Sequence, residues 1–84
     1  MNINEVNKDS YLIYVGEQES ALGYITPVML AEDTYVNESD CPEDMKGKFI
    51  IALPSVEYGV VFVNIETLNK EDWRIATAEE IADY

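Results

Sequence analysis

Apolar residues arrive along this chain in short, dense runs separated by polar stretches: "YLIYV" at 11–15, "FIIAL" at 49–53 and "VVFVNI" at 60–65. Each run is rich in β-branched and aromatic residues and too short for an ordinary helix, so the pattern predicts strands. The first strand starts at Tyr11 and closes at Gly16, with Glu17 and Glu19 extending one of its faces past the glycine. In "SALGYITPVML" Gly23 and Pro27 oppose a helix. They predict a second strand interrupted at Pro27, where an edge position tolerates the missing N–H donor. "AEDTYVNES" predicts a third short strand at 34–36, and the first ten residues, mostly polar, read as a loose lead-in.

The second half is more sharply patterned. Residues 48–53 and 60–65 flank "PSVEYG", whose Pro, Ser and Gly mark a turn, which predicts an antiparallel hairpin with Ile51 and Phe62 in the core. Both runs are apolar at almost every position, so both faces should be buried in places, as in a small barrel or a sheet with something packed across it. "NKED" turns the chain and "WRIA" adds a last brief strand. "TAEE" from Thr77 to Glu80 fits a capping box, so a two-turn helix should begin at Ala78 and dock through Ile81 and Tyr84, with Trp73 packed beneath it. The fold class expected is α+β: a single domain over 1–84, with a bent, barrel-like antiparallel sheet of four or five strands and a short C-terminal helix.

Charge changes this picture most. Seventeen acidic residues face five basic ones with no histidine, a formal net charge of -12. Self-repulsion on that scale opposes compaction, and it points to basic partners. Direct binding to DNA or RNA, which depends on Lys and Arg at phosphates, is not expected, nor is binding to an anionic membrane. The apolar runs are too short to span a bilayer, no signal-peptide pattern opens the chain, and a lone Cys41 fits a reducing compartment. The expectation is a cytoplasmic protein.

The densest acidic stretch is "NESDCPEDM", residues 37–45, with four carboxylates and no base. Its spacing does not fit a calcium loop, because Pro42 sits centrally and lysines occupy the place of the last ligand. Catalysis finds little support either. There is no histidine, Cys41 has carboxylates on both sides, and no cofactor-binding loop occurs, so neither an enzyme nor a cofactor is expected. The carboxylates can instead imitate phosphates. Glu17 and Glu19 on one strand face would stand ~6.6 Å apart, near the spacing of phosphates along a strand. Glu32, Asp33, Glu38, Asp40, Glu43 and Asp44 could extend the band if they share a side, and Glu79 and Asp83 lie one helical turn apart. The alternative is that the charge is spread over the surface and serves solubility. Among six tyrosines, Tyr11 and Tyr14 belong to a strand, whereas Tyr24, Tyr35 and Tyr58 lie beside turns and are candidates for a contact surface.

The ending "WRIATAEEIADY" resembles the ending of many small proteins of tailed bacteriophages, which close with Arg, an apolar residue, then Ala-Thr-Pro-Glu-Glu-Ile. Here Ala78 stands where proline is usual. The resemblance implies a setting in which small acidic proteins inhibit host defence, repair or transcription, some by imitating DNA, as the uracil-DNA glycosylase inhibitor and the antirestriction proteins do. The expected function is inhibition of a basic, nucleic-acid-binding host protein. The alternative is a small structural or accessory module that binds protein through its apolar and tyrosine surface.

Overall fold

The computed structural model describes residues 1–35 and 37–84, with Glu38 described through its backbone alone. Six strands are present among the described residues: β1 (Tyr11–Tyr14), β2 (Ile25–Pro27), β3 (Met29–Leu30), β4 (Phe49–Ser55), β5 (Gly59–Asn64) and β6 (Trp73–Ile75). They form two three-stranded antiparallel sheets, ordered β2-β1-β6 and β3-β4-β5. Two short helices, α1 (Ala31–Thr34) and α2 (Ala78–Ala82), complete the α+β fold. The expected single sheet of four or five strands is therefore two smaller sheets, and the strands do not close into a barrel.

The sheets share a segment. β2 and β3 are separated only by Val28, whose N–H donates to the Ser10 carbonyl at 2.9 Å, so one extended run leaves the first sheet and enters the second. Pro27 lies at this break on an edge strand, where its missing donor costs no ladder bond, as its position in the sequence predicted. Between the sheets lies a core of Val6, Leu12, Val28, Ile51, Ile65 and Trp73.

The hairpin forms as expected, with Ile51 opposite Val63 and Leu53 opposite Val61. Three residues, 56–58, connect the strands, and Gly59 takes the left-handed conformation at φ 76° that such a loop requires. β4 is buried on both faces, since the neighbouring Ile50 and Ile51 are both fully enclosed. β5 differs, because it is an edge strand whose outer face is bare. Phe62, expected in the core, is 39% exposed.

Four further expectations are corrected. Residues 31–34 form α1 rather than leading into a strand, because Ala, Glu and Asp are poor strand formers and the acids suit a helix start. The remainder of that expected strand includes Val36, which lies outside the described residues. Glu17 and Glu19 do not continue a strand face: β1 ends at Tyr14 and Glu19 opens a 3-10 turn over Glu19–Ala21. The first ten residues are tied down, with Val6 buried in the core and the Met1 ammonium donating to the Lys70 carbonyl at 3.0 Å. Trp73, the first residue of β6, packs edge-on against Tyr14 at 5.3 Å and joins a core cluster that holds no residue of α2, instead of lying beneath the helix. Tyr84 does contact the fold, edge-on to Tyr11 at 5.8 Å.

The capping box is present in full. Thr77 Oγ1 accepts from the Glu80 N–H, and Glu80 Oε1 accepts from the Thr77 N–H at 2.9 Å. The same carboxylate takes a bidentate pair of bonds from Arg74 at 2.7 and 2.5 Å, joining α2 to β6. The Arg74 guanidinium, with help from the Thr77 N–H, lowers the Glu80 carboxyl from its ordinary 4.5 to about 2.

Two predictions follow from this frame. Ile51→Asp should abolish cooperative thermal melting by placing an unpaired charge in the core, a loss of about 4 kcal/mol or more, whereas Phe62→Asp should melt cooperatively. Because the Glu80 pKa falls on folding, its contribution is complete above pH 4.5 and is lost as pH drops toward 2. Amide exchange at residues 78–84 should accelerate over that interval, and Glu80→Gln should show weak protection at every pH.

Candidate functional site

The acidic segment between β3 and β4 is held as a defined surface. Ala31 and Cys41 are buried against Ile50 on the outer face of β4, with Met29, Tyr35 and Met45 packed around them. Two 3-10 turns, Glu38–Asp40 and Glu43–Met45, carry the chain past these anchors. The two ends of the segment are joined: the Gly47 N–H donates to Glu32 Oε2 at 2.7 Å, and the Ala31 N–H donates to the Lys48 carbonyl at 3.1 Å. Gly47 adopts φ 77°, which the return into β4 demands of a residue without a Cβ.

This arrangement sorts the expected site residues. Asp33, Asp40, Glu43 and Asp44 are exposed, whereas Glu32 is half-buried and committed to the Gly47 amide. The Asn37 side chain donates to Asp40 at 3.4 Å, and Lys46 pairs with Glu43 at 2.9 Å. The side chain of Glu38 lies outside the described residues. Burial, and then the neighbouring Glu32 carboxylate, push the Cys41 thiol above its ordinary pKa, which leaves it a packing group rather than a nucleophile.

Glu17 and Glu19 lie on a different connection, the loop between β1 and β2. The acidic segment departs after Leu30 at the end of β3, while the 15–24 loop enters at Ile25, the start of β2. The intervening run is up to roughly 17 Å long at strand rise, which puts the two acidic groups at opposite ends of it. Tyr35 is half-buried, tilted against Phe62 at 6.2 Å. Tyr58, at the hairpin tip, is 72% exposed, and Val56 in the same turn and Val60 and Phe62 along β5 are exposed as well.

A second feature was not anticipated. Tyr14, Ala21, Tyr24, Leu53, Pro54 and Trp73 line a cleft of about 450 Å³ at the end of the molecule that carries Glu17 and Glu19. Tyr24 is locked into its wall by donating from its hydroxyl to the Ala52 carbonyl at 2.8 Å. The apolar, aromatic run "YLIYV" marked Tyr14 only as a strand residue. Its proximity to Trp73 depends on the pairing of β1 with β6, which no local pattern records.

Among the described residues, no group of three or more acidic or thiol side chains is arranged to hold a metal ion, and no helix is long and apolar enough to cross a membrane. No protein-family model matches this chain, and no curated protein or solved structure matches it.

Proposed function

We propose that this protein is a stoichiometric inhibitor that occupies the nucleic-acid-binding site of a basic partner protein, its carboxylates standing where phosphates would. The observation that carries this reading is the anchoring of the acidic segment. Ala31 and Cys41 are buried, Glu32 is bonded to Gly47, and Asp33, Asp40, Glu43 and Asp44 face outward from the resulting frame. A flexible acidic tail would lose conformational entropy on meeting a partner, whereas an ordered carboxylate surface has already lost it in folding. With a net charge of -12, association with a basic cleft is also steered at long range. In this reading, which the resemblance of the ending to phage proteins supports, the inhibitor acts in a host cytoplasm against a DNA- or RNA-binding host protein.

A second reading rests on the exposed apolar side chains of the hairpin, Val56, Tyr58, Val60 and Phe62. An accessory module would bind a protein partner through this apolar face, and the charge would serve solubility.

Affinity capture from bacterial lysate at low and high salt, followed by titration with the captured protein, separates the two. Under the inhibitor reading, combining Asp33→Asn, Asp40→Asn, Glu43→Gln and Asp44→Asn should weaken binding by about tenfold or more and flatten its salt dependence, and duplex DNA or RNA should compete. A salt-independent affinity that the charge variant leaves unchanged, but that Tyr58→Ala reduces, would overturn the inhibitor reading in favour of the module.

A further inference from the structure

We propose that the cleft between the 15–24 loop and the hairpin end is a docking site for an arginine-bearing extended peptide segment, separate from the acidic segment at the other end of the β2–β3 run. Its floor and walls are aromatic and apolar, with Trp73 edge-on to Tyr14 at 5.3 Å and Tyr24 held by its bond to Ala52.

Trp73 is 93% buried by its exposure of 7%, yet its indole N–H finds no acceptor among the described residues. No sealed side-chain nitrogen or oxygen among those residues lacks a partner, so this N–H keeps access to solvent, and Trp73 is among the residues that line the cleft. A buried donor left free at an aromatic wall suits a peptide carbonyl.

Charge selects the rest of the occupant. Gln18 and Ser20 line the cleft, and the exposed Glu17 and Glu19 alternate with them along the loop. Asp72 precedes Trp73, and its backbone carbonyl accepts from the Val15 N–H at 2.7 Å. Its carboxyl carbon would lie 2.9 Å from a Cβ placed on Gly16, which would also overlap the Tyr14 hydroxyl. Gly16 is thus the residue that lets Asp72 and Tyr14 converge at the rim. The bases nearest in sequence are engaged elsewhere: Lys70 donates to the Glu66 carbonyl, and Arg74 is held by Glu80. Tyrosine and tryptophan faces beside unpaired carboxylates form a surface for a planar cation on an apolar stem, which describes arginine better than lysine.

Trp73 is the chain's single tryptophan, so its emission reports occupancy directly. An acetylated, amidated peptide with two arginines among alanines should shift that emission saturably. The same peptide with glutamine for arginine should bind at least about fivefold more weakly. Asp72→Asn combined with Glu17→Gln should reduce the arginine peptide's affinity to a similar degree, and Ala21→Phe, which fills the cleft while keeping every acid, should abolish the response. The variant with Asp33, Asp40, Glu43 and Asp44 neutralised should bind the peptide as the parent does, which separates this site from the inhibitor surface. Equal binding of the arginine and glutamine peptides to the parent would overturn the proposal, as would a folded Ala21→Phe protein that binds the arginine peptide undiminished.

Discussion

Ile50 and Ile51 are successive residues of one strand, so their side chains point to opposite faces of the sheet, and both are completely enclosed. Ile51 closes the core between the two sheets, while Ile50 receives Ala31 and Cys41 and thereby fastens the acidic segment. Burial of an isoleucine contributes roughly 2 kcal/mol. On the Ile50 side that stabilisation holds a segment that its own charge would otherwise drive into solvent. A strand buried on only one face would support the same core and leave the carboxylates on a loose loop.

The fold accommodates its charge by separating it from its apolar surface. No charged residue occurs within β4 or β5, and the acids gather in the connections at the two ends of the strands and along α2. Local bonds absorb some of the repulsion: Glu80 is fixed by Arg74 and by its cap, Glu66 faces Lys48 at 3.5 Å, and Glu32 accepts a backbone amide. Of the remaining described carboxylates, all but the half-buried Asp72 are exposed, where water screens them, and the cost of holding them near one another is small enough for a domain of this size to bear.

Both candidate surfaces sit where a connection is forced against the sheets. At one end a long connection is pinned by two small buried residues. At the other a short loop with Gly16 and Gly23 folds back so that the Tyr14 N–H donates to the Tyr24 carbonyl at 2.9 Å and the Gly23 N–H donates to the Tyr14 carbonyl at 3.1 Å across its mouth. The two ends differ in chemistry: exposed carboxylates over a buried Ala31–Cys41 anchor at the first, an aromatic cleft with carboxylates on its loop at the second. A basic partner large enough to touch both would meet electrostatic attraction along the molecule's 36 Å length and the aromatic cleft at one end.

Sequence by itself determined the features that depend on near neighbours. The β1 run, the hairpin with its glycine turn, the break at Pro27 and the Thr77 capping box follow from backbone preference, side-chain alternation and hydrogen bonds spanning a few residues. The net charge and the density of acids at 37–45 were equally plain. Tertiary structure alone decided which faces meet. Ile51 and Phe62 look alike in an apolar run, but one lies on a central strand and the other on an open edge. Glu17 and Asp44 look alike as acids, but the β2–β3 run separates their loops. Tyr14, Tyr24 and Trp73 form one cleft only because β1 pairs with β2 on one side and β6 on the other, and long-range strand pairing leaves no periodic trace in the chain that makes it.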